Sequence, residues 1–83
     1  MSIERKDDYK VKVNGAKEFD ELKEKIEKAL PGYIGENGIC VLKVSSGLNP
    51  EEITEAWICT WIKVNADWVE EQLQKILSEY EAA

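Results

Sequence analysis

The sequence predicts an α+β fold: a two-layer β-α-β-β-α domain, with a three-stranded mixed sheet and two helices packed on one face. Three observations predict it. Tyr9-Lys10-Val11-Lys12-Val13 alternates apolar and charged residues, the pattern of a strand with one wet face. Phe19, Leu22, Ile26, Ala29 and Leu30 recur at spacings of three and four, which is the apolar stripe of a surface helix. The run from Ala56 to Val64 is the densest apolar stretch of the chain, holds two of its three Trp, and consists almost wholly of strand formers.

Each element follows in order. Residues 1–7 read as a flexible N-terminal tail, and 8–83 as one domain. The first strand ends at Asn14-Gly15, a turn-forming pair. The first helix is expected over 16–30. Glu21 with Lys25 and Glu24 with Lys28 are pairs four residues apart, each worth about 0.2–0.5 kcal/mol on a helix surface. Pro31-Gly32 stops the helix and opens a glycine-rich connection to Gly38. A strand-helix-strand unit of this kind makes a right-handed crossover. Ile39-Cys40-Val41-Leu42-Lys43-Val44-Ser45 is the second strand, apolar on both faces.

Leu48-Asn49-Pro50-Glu51-Glu52-Ile53 carries helix-start signals. Asn49 suits the cap, Pro50 the first helical position and Glu52 a capping box, with Leu48 and Ile53 spaced as a hydrophobic staple. The Trp-rich run that follows could continue that helix, since Ile53, Ala56, Trp57, Thr60, Trp61 and Val64 fit a helical stripe. Its β-branched content opposes a helix, and a helix there would leave a two-stranded sheet, which is marginal alone. The expectation is therefore a helical turn near 50–54 and a third strand over 55–64. A last helix opens near Asn65, with Asp67 and Glu70 at capping-box spacing and Val69, Leu73, Ile76, Leu77 and Tyr80 as its stripe.

Composition excludes several classes. A chain of 83 residues buries only roughly 60–65% of its unfolded surface, so it has one modest core. The net charge of −6 argues against a general nucleic-acid binder, which needs a basic footprint. No leader-like or membrane-spanning apolar run is visible, and two Cys without an export signal point to a cytoplasmic location with free thiols. The chain has no His, which removes Cys/His and Ser/His nucleophile pairs and the commonest metal ligand. The carboxylates read as solvated helix faces, and the glycine-rich loop lacks the Lys-Ser/Thr ending of a phosphate loop. No catalytic residue, cofactor site, metal site or small-molecule substrate is expected.

A hairpin register that pairs Ser45 with Thr54 places Leu42 opposite Trp57 and Cys40 opposite Cys59. One face then carries Cys40, Leu42, Val44, Trp57, Cys59 and Trp61. With no polar residue in its middle, it reads as the core, joined by Val11 and Val13. The other carries Ile39, Val41, Lys43, Ala56, Ile58, Thr60 and Ile62, joined by Lys10 and Lys12, and reads as an open surface.

A contiguous apolar patch on a small domain marks an interface. The expected function is therefore a non-enzymatic protein-binding module, an inhibitor or adaptor. Its contact residues would be Lys10, Lys12, Ile39, Val41, Lys43, Ile58, Thr60 and Ile62, against a protein partner or a second copy. Small acidic proteins that phages and mobile elements use to block host complexes offer an analogy of form. Two alternatives stand beside it. An engineered domain without natural role would explain the regular Lys/Glu helices and caps, though not the Cys and Trp content. With the faces exchanged, Trp57 and Trp61 beside Lys residues would suit single-stranded nucleic acid.

Overall fold

Strand β3 (Ile53–Ile62) lies at the centre of the sheet, and its place there decides everything else. The computed structural model describes residues 4–35, 38–62 and 66–83. The element order is β1 (Glu4–Lys12), α1 (Gly15–Ala29), β2 (Ile39–Ser45), a 3₁₀ turn (Pro50–Glu52), β3 and α2 (Ala66–Leu77). Residues 53–62 therefore form a strand, as their β-branched and aromatic content requires.

The strands stand in the order β1-β3-β2, and both ladders are antiparallel. β1 and β2 run in the same direction, as a strand-helix-strand crossover demands. They flank β3 rather than each other, so the expected mixed sheet has no parallel ladder. After α2 the chain returns to the outer edge of β1. Ala82 bridges Val11 in antiparallel sense, the Lys12 N–H donates to the Glu81 carbonyl at 2.8 Å, and the Ala83 N–H donates to the Lys10 carbonyl at 3.1 Å. This single bridge lies on the far side of β1 from β3, so the sheet itself remains three-stranded.

The core lies between the sheet and the two helices. α1 contributes Phe19, Leu22, Ile26 and, just past its end, Leu30; α2 contributes Val69, Leu73 and Leu77. The sheet contributes Val11, Ile39, Ile53, Ala56 and Ile58, and Val13 joins them just past the end of β1. Both predicted helical stripes thus point inward, and Ala29, Ile76 and Tyr80 pack at their margins. Gly15 opens α1 at φ +82°, and a Cβ there would lie 3.3 Å from the Glu51 Cα, so the helix start sits tightly on the 3₁₀ turn.

Four further expectations are corrected. First, β1 begins at Glu4, so residues 4–7 belong to the sheet and not to a tail. The ladder extends them because β3 is long enough to offer Ile62, Trp61 and Thr60 as backbone partners. A backbone ladder needs no apolar side chains, which is why a charged segment concealed it.

Second, the faces of β2 and β3 are exchanged. Ile39, Ala56 and Ile58 are fully buried against the helices, Thr60 is buried, and Val41 packs against the core. Leu42 and Val44 are exposed on the opposite face. The β1 register forces this result: Val11 lies directly opposite Ala56, so Val11 cannot face the helices unless Ala56 and Ile58 do too. The hairpin register itself follows expectation at Leu42–Trp57 and Cys40–Cys59, with a bulge placing Ser45 opposite Ile53.

Third, Leu48 is fully exposed and makes no staple with Ile53. Asn49 makes no backbone cap either; its Nδ2 donates to Glu52 Oε1 at 2.8 Å, and the helical start closes after a single turn. Fourth, α2 begins at Ala66, which puts Asp67 inside its first turn rather than at its cap; Asn65 lies outside the described residues.

Candidate functional site

The sheet face away from the helices is the surface that remains. It is organised as rows across the strands. In the middle row Lys10 of β1, Trp57 of β3 and Leu42 of β2 stand side by side. Lys10 Nζ lies 4.9 Å from the centre of the Trp57 ring. Trp57 is half-buried under it, and Leu42 is 45% exposed. The next row holds Lys12, Glu55 and Val44, the last 36% exposed. On the other side stand Cys59, buried, and Cys40, half-buried, directly opposite one another and not joined by a disulfide. The result is an apolar stripe along β2 (Cys40, Leu42, Val44) that broadens onto Trp57 and ends at a cationic rim.

The two sheet edges differ. The outer edge of β1 is paired at Lys10 and Lys12 by residues 81–83, and the Lys12 ammonium meets Glu81 at 3.4 Å. On β2, Ile39 is occupied on its outer side, donating to the Tyr33 carbonyl and accepting from the Gly35 N–H. Beyond it no strand pairs with the outer edge of β2 among the described residues. Outward and inward groups alternate along an antiparallel strand, so Val41 and Lys43 direct their backbone N–H and C=O away from the sheet.

A second surface lies where α1 meets the returning C-terminal segment. A groove of about 350 Å³ is lined by Lys12, Asn14, Glu18, Glu21, Lys25, Glu79, Tyr80 and Glu81. Lys25 spans it, donating to Glu79 Oε2 and to the Tyr80 hydroxyl, both at 3.2 Å, with its ammonium 5.1 Å from the Tyr80 ring centre. The Tyr80 bond and then the Glu79 bond raise the Lys25 pKa above its ordinary value. This arrangement straps the C-terminal segment to α1, so Lys25 does not make the intrahelical pair with Glu21 that its spacing suggests. Lys28 does meet Glu24, at 3.8 Å. Among the described residues no cluster of three Cys, Asp and Glu side chains could hold a metal ion. Among the described residues no helix is long and apolar enough to cross a membrane.

Of the eight contact residues expected from sequence, Lys10 and Lys12 lie on the open face, and Lys43 is exposed at the free edge. Ile39, Ile58 and Thr60 are inside the protein and cannot meet a partner, and Val41 is half-buried on the helix side. The Ile62 and Trp61 side chains lie outside the described residues. Leu42, Val44 and Trp57 occupy the open face instead. Their signal was present in the sequence as the exchanged-face alternative, in which aromatic residues alternate with Lys. No protein family, curated protein or solved structure compared with this chain matches it.

Proposed function

We propose that this chain is a non-enzymatic protein-binding module, an inhibitor or adaptor, that presents the sheet face opposite its helices and the edge of β2. One observation carries the reading: Leu42 and Val44 are exposed side by side on a strand whose outer edge is unpaired among the described residues. Apolar side chains on such an edge suit β-augmentation, in which a partner adds a strand and side-chain pockets choose which strand. The test is a comparative capture from cells of the source. Wild type and a helix-surface control, Glu24→Lys, should retain the same partner, and Leu42→Lys with Val44→Lys should lose it. Retention by all three would refute the reading.

A second reading is favoured by one observation, the placement of Trp57 under Lys10 on an open sheet face. Base stacking on an aromatic beside a cation is how single strands are held, at about 1–3 kcal/mol per base. The net charge of −6 opposes it. Titration with oligo-dT at low salt separates the two. Quenching of Trp emission that is lost in Trp57→Leu and weakens steeply with salt would favour nucleic acid, and unchanged emission would exclude it.

A further inference from the structure

We infer that the occupant of the β2 edge is the same edge of a second copy, joined about a twofold axis through Leu42 to make one continuous six-stranded sheet. The inference rests on the protein-binding reading above and names its partner.

Ile39 is already satisfied by Tyr33 and Gly35, and Ser45 stands at the bulge. Between them, the outward groups of Val41 and Lys43 are unpaired among the described residues. In an antiparallel pair centred on Leu42, Val41 of each copy meets Lys43 of the other. Each such pair exchanges two bonds, so all four outward-facing residues are used and none is left over. Leu42 then stands opposite Leu42 of the second copy in a non-hydrogen-bonded position, where side chains approach most closely.

Side-chain chemistry chooses this register over its neighbours. Centring on Lys43 would set two ammonium groups directly opposite one another, which is destabilising. Centring on Val41 would require Ile39, whose outer groups are taken. With Leu42 at the centre, each Lys43 faces Val41 and each Cys40 faces Val44. The middle row becomes Lys10-Trp57-Leu42-Leu42-Trp57-Lys10 across two copies, with cations only at its ends. The exposed area of Leu42 and Val44 is buried at the joint. Isologous contacts of this kind are the commonest in homo-oligomers. The joint consists of two hydrogen-bonded residue pairs and the apolar row of Leu42, Val44 and Cys40, so the dimer is weak and forms with rising concentration.

Two measurements on the full chain test it. Sedimentation velocity from micromolar to submillimolar concentration should show wild type moving from monomer to dimer. Leu42→Lys and Lys43→Pro should each weaken association by about tenfold or more, a free-energy change of about 1.4 kcal/mol. Pro at this edge position removes an outward N–H and leaves the ladder to β3 intact. In a Cys40→Ser background, Leu42→Cys should form an intermolecular disulfide on mild oxidation, because opposed Cα atoms lie about 4.5 Å apart there. Val44→Cys, far from its own mate in this register, should not. A wild type that stays monomeric, or a Val44→Cys that cross-links as fast as Leu42→Cys, overturns the proposal. If wild type is monomeric but Leu42→Lys still loses a captured partner, the second copy is refuted and the binding face stands. If Leu42→Lys alters neither, both fall.

Discussion

Lys10 Nζ stands 4.9 Å from the centre of the Trp57 ring, across the β1–β3 ladder from it. The pair ties the open face together where no helix covers it. A cation over an indole at a partly exposed site contributes about 0.5–1 kcal/mol. Lys10→Met keeps the aliphatic stem and removes the charge, so urea unfolding should report a loss in that range. Trp emission should shift, since the ring loses the cation above it. A variant with unchanged stability and spectrum would show that the contact is incidental.

The exchange of faces gives a sharper contrast. Ile58 is completely buried in the central strand, and Leu42 is 45% exposed on the strand beside it. Ile58→Ala should cost about 2–5 kcal/mol, enough to unfold much of a small domain at ambient temperature. Leu42→Lys should leave the monomer's denaturation midpoint nearly unchanged, within about 0.5 kcal/mol. Circular dichroism during urea titration checks both. A Leu42→Lys protein that unfolds as readily as Ile58→Ala would mean that the helices cover the Trp57 face after all.

The strap from Lys25 to Glu79 and Tyr80 predicts a pH dependence. The folded-state pKa of Lys25 is raised, so the protonated form is favoured by folding. Its contribution is fully present below the unfolded value of 10.5 and disappears as pH rises through the higher folded value. The stability difference between wild type and Lys25→Met should therefore be constant near neutrality and shrink above that pH. Paired denaturation curves at neutral and strongly alkaline pH measure it; a difference that persists at the alkaline end would contradict the assignment.

Gly15 offers a backbone test. Its φ of +82° is reached freely only without a side chain, and an added Cβ meets the Glu51 backbone at 3.3 Å. Ala would pay roughly 1–2 kcal/mol for the left-handed conformation alone. Gly15→Ala should therefore lower the urea midpoint, although Ala favours helices elsewhere. A neutral or stabilised variant would show that the start of α1 can rebuild itself.

These contrasts show what was legible in the chain. Tyr9 to Val13, the stripe from Phe19 to Leu30 and the stripe from Val69 to Tyr80 each have a polar side that tells inside from outside. β2 and β3 do not, because both of their faces are apolar. The polar residues that tipped the choice, Lys43 and Thr60, misled for different reasons: Lys43 lies at the margin of the sheet in solvent, and Thr60 is buried. The deciding fact is the one-residue parity of the β1–β3 ladder, and parity between strands so far apart leaves no mark on composition. Glu4 to Asp7 and Ala82 are held through backbone groups, which every residue carries alike.

The central position of β3 also sets an order of assembly. Val11 meets its ladder partner Ala56 about 45 residues later in the chain, after α1 and β2 have been made. β2 and β3 are joined by a short connection and can zip locally, on the microsecond scale of a hairpin. β1 must wait for a finished platform and close a long loop to reach it, a step whose entropic cost rises slowly with sequence separation and slows folding. Mutations in the β2–β3 hairpin should therefore change the folding rate, and Val11→Ala should act mainly on unfolding. Equal effects at both places in stopped-flow kinetics would show that the three strands condense together.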